Sequence, residues 1–333
     1  MPAPRDHLVF AHANGFPGAV YGELFEAWRD RLEVSFVDRF GHGGDYPVGP
    51  RWTALARQLC EHVDAHVDPQ ARLWLVGHSL GGYLSVLAAA ALGERVSGVV
   101  LLDSPLIGGL TARFVRLGRQ VGFDRYVLPL RETARRRRHW PDLDAVHAHF
   151  AVKPTFARWD AATLRRYVEH GTAAQADGSR VLRFDHEVEL AIYRSLPTRT
   201  VVEAASRAVA PIGFIGGTRS RELRQTGLRA TRQAVGPHLR WIEGGHLFPM
   251  ERPRETAGAV LAMLAALERR QADAAALPPE QGARTMIASP RAGVSPHANA
   301  SCPGSQSGWR RTAVSTWRRD DDRFATRKGL APR

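Results

Sequence analysis

Gly77-His78-Ser79-Leu80-Gly81 is the stretch of this chain whose residue types and spacing point most directly to chemistry. A serine with a glycine two residues away on each side fits a sharp turn that lifts a hydroxyl clear of its surroundings. A Cβ at either glycine would collide with the strand and helix that such a turn joins. Leu73-Trp74-Leu75-Val76 before it is apolar and strand-like, and residues 81–92 after it read as a compact, Ala-rich helix. The helix then directs its unpaired amides and partial positive charge toward the hydroxyl. A serine is a poor nucleophile at neutral pH and needs a base within hydrogen-bond reach. With 14 histidines in 333 residues, histidine as a residue type does not single out that base.

The elements around the turn follow a regular rhythm. His7–Ala11, residues 34–37, residues 73–76 and Val96–Leu102 read as strands, and residues 19–32, 52–67 and 81–92 as helices between them. Nearly continuous apolar strands of this kind suit a parallel sheet buried on both faces. Strand and helix in alternation imply a doubly wound sheet with right-handed crossovers. The rhythm stops after Asp103, where residues 104–208 hold helical stretches and arginine clusters with few strand signals. It resumes with a strand at 211–215, a helix at 220–235, a strand at Leu239–Ile242 and a last helix at 256–270 opened by Pro253. The expected fold class is therefore α/β, a doubly wound, mostly parallel sheet of about six strands with an inserted helical cap. The expected organisation is a core of residues 1–104 and 209–270, a cap of residues 105–208 and a disordered basic tail of residues 271–333.

Composition removes several function classes. The chain is 44% hydrophobic and 24% charged, close to a soluble globular average. Its longest apolar runs, near residues 84–92 and 99–102, fall well short of the roughly 20 residues a membrane-spanning helix needs. Membrane insertion is not expected, and a start without a charged-then-apolar leader makes the cytoplasm the expected location. Cys60 and Cys302 neither build a disulfide framework nor sit in metal-ligand spacing, and no metal or other cofactor is expected. Of the formal net charge of +13, +5 falls in residues 271–333, and the densest run is Arg135-Arg136-Arg137-Arg138. Arginines spread along the chain without a binding module do not predict specific nucleic-acid binding.

Taken together, these motifs resemble those of the α/β-hydrolase fold family over about residues 7–270, with the elements in the family's order. His12-Ala13-Asn14-Gly15-Phe16-Pro17-Gly18 follows the first strand and resembles the loop that supplies half of the family's oxyanion hole. Asp38-Arg39-Phe40-Gly41-His42-Gly43 resembles the turn after the next strand. The resemblance implies that Ser79 is the nucleophile and that the backbone N–H groups of Phe16 and Leu80 hold the developing oxyanion. It also implies that His246, in Gly244-Gly245-His246-Leu247-Phe248-Pro249 after the last strand, is the base. Asn14 and His42 are expected to brace their loops. The carboxylate that orients the base departs from the family's pattern, because Gly216-Gly217-Thr218-Arg219-Ser220-Arg221-Glu222 has no aspartate at the usual place. Asp103, at the end of the fourth strand, is the favoured candidate, since some members of this fold place their acid there; Glu222 is the alternative, with a Ser–His dyad or a water-supported histidine as the remaining options.

A serine at the turn disfavours the epoxide hydrolase and dehalogenase reactions of this fold, which use an aspartate there. The expected function is that of a serine hydrolase, cleaving an ester-like acyl bond of a small hydrophobic molecule through an acyl-enzyme. The partner is then a small-molecule acyl substrate. The alternative is a non-catalytic ligand-binding protein of the same fold with an incomplete triad. Asn14, His78, Trp140 and Trp159 are candidates to line the pocket, as are Phe114, Phe150 and Phe156, each equally suited to core packing. The Arg135–Arg138 run reads as a solvated helix face or a lure for an acidic substrate.

Overall fold

The computed structural model describes residues 5–109 and 130–276. Strands β1 (His7–Ala11), β2 (Glu33–Phe36), β3 (Leu73–His78) and β4 (Val96–Leu102) come first, with helices α1 (Gly22–Trp28), α2 (Thr53–His66) and α3 (Leu80–Leu92) between them. Short strands β5 (His139–Trp140), β6 (Thr172–Ala174) and β7 (Arg180–Leu182) lie in the segment that follows, before β8 (Ile212–Gly217) and β9 (Leu239–Ile242) return to the main sheet. That sheet has six strands in the order β2-β1-β3-β4-β8-β9, all parallel. It is the architecture that the apolar strand pattern predicts.

Alternation along each strand divides the core in two, because successive side chains leave opposite faces of a sheet. Val9, Leu75, Val99, Leu101 and Phe214 pack on one face with Leu55, Leu59 and Val63 of α2 and Leu84 and Val86 of α3. Leu8, Phe10, Trp74, Val76, Val100 and Leu102 pack on the other, with Leu24, Phe25 and Trp28 of α1 and Val260, Met263 and Leu267 of the last helix. In-register pairs such as Ala11 with Gly77 and His78 with Leu102 bring the carboxyl ends of β1, β3 and β4 to one edge. The site forms along that edge, as expected where a strand order reverses in an open α/β sheet.

The segment between β4 and β8, expected as a helical cap, holds strands beside its helices. It contains helices Leu130–Arg135, Leu143–Ala151, Ala161–His170, His186–Arg194 and Thr198–Arg207, but also an antiparallel sheet in the order β5-β7-β6. Strands of two or three residues are too short to show alternation in sequence, so only tertiary pairing reveals them. The segment's Val146, Phe150, Trp159, Leu164 and Tyr167 join the same apolar cluster as α1 and β1, so its core is continuous with that of the body. Arg166 pairs with Glu23 of α1 at 3.0 Å across the junction.

Two helices depart from their expected bounds. The stretch read as one helix over 220–235 is two, Arg221–Thr226 and Arg229–Val235, separated at Gly227 with φ +70°. Glycine accepts that left-handed turn without a Cβ penalty and ends the first helix. The last helix runs from Pro253 to Ala276, past the expected end at Arg270 and into the segment read as tail. Residues 277–333, and Phe114 among the pocket candidates, lie outside the described residues. Among the described residues no helix is long and apolar enough to cross a membrane.

Candidate active site

Ser79 sits between β3 and α3 at φ 53°, ψ −113°, a conformation that L residues adopt at a cost of roughly 1–3 kcal/mol. The surroundings over-determine it. Its N–H donates to Leu102 O at 3.0 Å, and its carbonyl accepts from Gly82 N–H at 3.1 Å and from the Ser104 hydroxyl at 2.9 Å. A Cβ at Gly77 would overlap the backbone of Gly81 and Gly82, and one at Gly81 would overlap the Ala11 carbonyl. Both glycines of the motif are thus required by backbone that approaches from a neighbouring element.

His246 lies between β9 and the helical turn Phe248–Glu251, in a segment held by Arg219 N–H donating to Gly244 O at 2.8 Å. Its Nε2 is 3.0 Å from Ser79 Oγ and its Nδ1 is 2.7 Å from Asp103 Oδ2. A carboxylate only accepts, so Nδ1 carries the proton and Nε2 is free to accept the Ser79 hydroxyl. Burial works against the charged imidazole, but the Asp103 hydrogen bond and charge, with Glu222 adding to them, raise its pKa above the ordinary histidine value.

Of the two acid candidates, the structure brings Asp103 into direct contact and sets Glu222 behind it. Asp103 is fully buried at φ 46° and its carboxylate is surrounded by donors. Gly217 N–H reaches Oδ1 at 2.8 Å, and the Ser220 hydroxyl reaches Oδ2 at 2.6 Å. Glu222 is half exposed, with Oε2 3.9 Å from His246 Nδ1. Asp103, Glu222 and His246 place ligand-type atoms within 4.8 Å of one another, but a cation there would compete with the Asp103–His246 hydrogen bond.

The loop after β1 is anchored from below. His12 accepts Phe40 N–H on Nε2 at 3.0 Å, which leaves Nδ1–H to donate to Ala13 O at 2.8 Å. Burial lowers its pKa to about 4 and keeps it neutral. Phe16 N–H also donates to Ala13 O, at 3.1 Å, so of the two expected oxyanion donors this one is already engaged in a turn. Leu80 is the first residue of α3, where amides have no intrahelical carbonyl to meet.

Two pocket candidates turn out to be internal braces. His78 is fully buried, with Nε2 2.9 Å from His246 O and Nδ1 2.7 Å from the Tyr21 hydroxyl, which in turn accepts Ala13 N–H at 3.1 Å. Since a carbonyl only accepts, His78 donates from Nε2 and accepts on Nδ1, and burial followed by the nearby His246 holds its pKa well below the ordinary value. With both nitrogens engaged, His78 ties the His246 backbone to the loop after β1 and has no nitrogen left for a ligand. Trp140 is fully buried against His149 and Phe150 inside the inserted segment.

The others sit nearer the loop. Asn14 Nδ2 donates to Glu189 O at 3.1 Å, a brace between loop and insertion, while Trp159 lies 5.7 Å from the Phe16 ring and packs on Phe156 and Tyr167. Phe150 and Phe156 pack on each other and on Tyr167. His42 braces its loop through Phe40 O and Asp185 N–H. The Arg135–Arg138 run is not a uniformly solvated face. Arg136 is largely covered and pairs with buried Glu189 at 3.0 Å, and Arg137 lies over the Trp140 ring at 5.8 Å.

Tyr21, Ser220 and Glu189 are site-shaping residues that sequence reading did not anticipate. Ser220 had a signal, because a serine two residues before a glutamate at a helix start suits an N-cap, and its Oγ does accept Leu223 N–H. Nothing local marks Tyr21 or Glu189, whose partners lie far off in the chain.

A sequence profile described as "Alpha/beta hydrolase family" matches residues 8–260. Monoglyceride lipase of Rattus norvegicus is 33% identical over 110 residues, and that of Homo sapiens 30% over 110 residues. Each match spans 31% of this chain and 36% of the relative, so the chain covers about a third of the curated relatives it matches. Among solved structures, E-2-(acetamidomethylene)succinate hydrolase superposes with a TM-score of 0.62 at 23% identity, covering 79% of this chain and 92% of its own. An esterase of Mycobacterium tuberculosis superposes at 0.58 with 20% identity, over 78% and 86%. The thioesterase domain from the curacin biosynthetic pathway gives 0.56 at 18%, over 78% and 92%. At these identities the structural matches speak for the fold alone.

Proposed function

Since the chain belongs to the alpha/beta hydrolase family, we propose that it is a serine hydrolase that cleaves an ester-like bond of a small hydrophobic acyl substrate through an acyl-enzyme. The observation that carries this reading is the contact chain Ser79 Oγ–His246 Nε2–Nδ1–Asp103 Oδ2, at 3.0 and 2.7 Å. In this reading His246 takes the Ser79 proton as Oγ attacks the carbonyl, then returns it to the leaving group, and Asp103 stabilises the imidazolium formed between the two events. The Leu80 N–H holds the oxyanion from the start of α3, and the Phe16 N–H joins it by sharing its proton with Ala13 O. Losing one such donor typically costs about 3–4 kcal/mol in the barrier. Water activated by the same His246 then releases the acid.

Two observations support the substrate class: curated relatives named monoglyceride lipase match over about a third of their length, and Trp159, Phe156 and Phe16 form an aromatic wall at the proposed oxyanion loop. A test combines a fluorophosphonate probe, with the labelled residue mapped, and turnover of p-nitrophenyl butyrate, a monoacylglycerol and an acyl thioester. Labelling at Ser79, and its loss together with turnover in Ser79→Ala, is the expected outcome. A protein that binds such esters while leaving the probe unreacted and the esters intact would favour the non-catalytic alternative.

A further inference from the structure

His246 faces two carboxylates where a triad needs one. Asp103 reaches Nδ1 at 2.7 Å from the end of β4, and Glu222 Oε2 stands 3.9 Å from the same atom, on the first turn after β8. Ser220 lies between them, its hydroxyl 2.6 Å from Asp103 Oδ2 and 3.2 Å from Glu222 Oε2. That hydroxyl has one proton for two acceptors, so while it serves Asp103 the Glu222 oxygen has no share in it. The two carboxylates also differ in surroundings. Asp103 is fully buried among donors, whereas the Glu222 side chain is 47% exposed.

We propose that Glu222 is a second orienting carboxylate for His246, a positioning residue that supports the base from the solvent side and takes over its Nδ1–H when Asp103 cannot hold it. This rests on the reading of Ser79 and His246 as nucleophile and base. The exchange moves no heavy atoms between molecules. The Nδ1–H···Oδ2 bond breaks, a side-chain rotation of Glu222 closes a gap of about 1 Å to hydrogen-bond distance, and the proton stays on Nδ1. The other titratable groups around this cluster leave the role to Glu222. His78, from the elbow, is neutral and committed to the His246 carbonyl. Glu251 accepts Gly245 N–H and is paired with Arg158 and Arg219. Tyr193 of the insertion is kept neutral by burial first and by Glu189, with Glu222 contributing.

The test uses the full chain with E222Q, D103N and the double variant, assayed on p-nitrophenyl butyrate from pH 5 to 10, alongside NMR titration of the His246 imidazole. E222Q alone is expected to lower kcat by no more than about 3-fold and to move both the acid limb of kcat/KM and the imidazole titration to lower pH. In the D103N background the same substitution removes at least about 10-fold, because Glu222 is then the remaining partner of Nδ1. An equal factor in both backgrounds overturns the proposal, as does an imidazole titration that E222Q leaves in place. If D103N does not fold, the E222Q titration decides. If the unmodified chain shows no Ser79-dependent turnover, the hydrolase reading fails, while the titration, which needs no substrate, still decides the role of Glu222.

Discussion

The carboxyl edge of the sheet and the inserted segment treat buried polar groups in opposite ways. At the carboxyl ends of the strands, Asp103 is satisfied by three donors, His78 by Tyr21 and the His246 carbonyl, and His12 by Phe40 and Ala13. In the insertion, Thr133, Trp140, His149, Trp159 and Glu189 each keep a buried side-chain atom without a partner. These are five of the six such atoms among the described residues, and the sixth belongs to Asn14, which braces the insertion through its amide nitrogen. A buried group left unpaired costs roughly 1–3 kcal/mol, so most of this local cost falls in the insertion and little of it at the sheet edge. On the proposed function, the difference separates a floor that would hold reacting atoms within tenths of an ångström from an insertion whose polar atoms are less tightly specified.

Substitutions that stress each region should behave accordingly. Gly81→Ala forces a Cβ into the Ala11 carbonyl, which sits on a strand that cannot move aside. It is expected to cost more than about 4 kcal/mol, seen as insoluble protein or a lost cooperative unfolding transition. A folded, active Gly81→Ala would break the contrast by showing the floor to be adaptable.

Arg136→Ala tests the insertion from the charged side. It leaves the buried Glu189 carboxylate, whose pKa burial already raises against the pull of Arg136, without its counter-charge. A loss of roughly 2–4 kcal/mol in chemical denaturation is expected. The sign of its pH dependence also follows. With Arg136 gone, Glu189 takes up a proton more readily, so the variant regains stability as pH falls through the raised folded-state value. An Arg136→Ala loss that is the same at pH 5 and pH 8 would mean that another group covers Glu189.

The floor should also reveal itself in the rate. The His246 pKa is raised, so kcat/KM is expected to fall about tenfold per pH unit below a midpoint that lies above the ordinary 6.5. The charged imidazole that Asp103 favours contributes stability below the unfolded value, lost as pH rises through the folded one. A rate midpoint below 6.5 would show that burial outweighs the carboxylates. The smallest effect is expected of Trp140→Phe, which removes an indole N–H that has no partner. Its cost should stay below about 1 kcal/mol despite complete burial, because the lost packing is offset by the vanished orphan donor. A loss comparable to a full core truncation would mean that Trp140 Nε1 is satisfied in solution and that the insertion is as tightly specified as the sheet.

Much of the architecture was legible from local features because local sterics dictate it. Apolar runs of strand length, helical spacing between them and a serine boxed by two glycines each act over a few residues, and they led to the six-stranded sheet and to Ser79 on its elbow. The break at Gly227, the two-residue strand β5 and the pairing of Arg136 with Glu189 were not legible, since each depends on what packs against it. The same holds for the acid. Asp103 and Glu222 both follow a strand, and the preference for Asp103 came from its place at the end of the strand beside the one that bears Ser79, whereas its distance to the imidazole is set only in the folded sheet.

Residue types and their short-range spacing thus determined the serine proposed as nucleophile, the turn that presents it and the layered frame around it. Tertiary structure decided the rest, because the deciding contacts join residues 167 positions apart for Ser79 and His246 and 143 apart for Asp103 and His246. Only the assembled sheet places the end of β4 near the loop after β9, which buries Asp103 against the imidazole and leaves Glu222 at the solvent's edge.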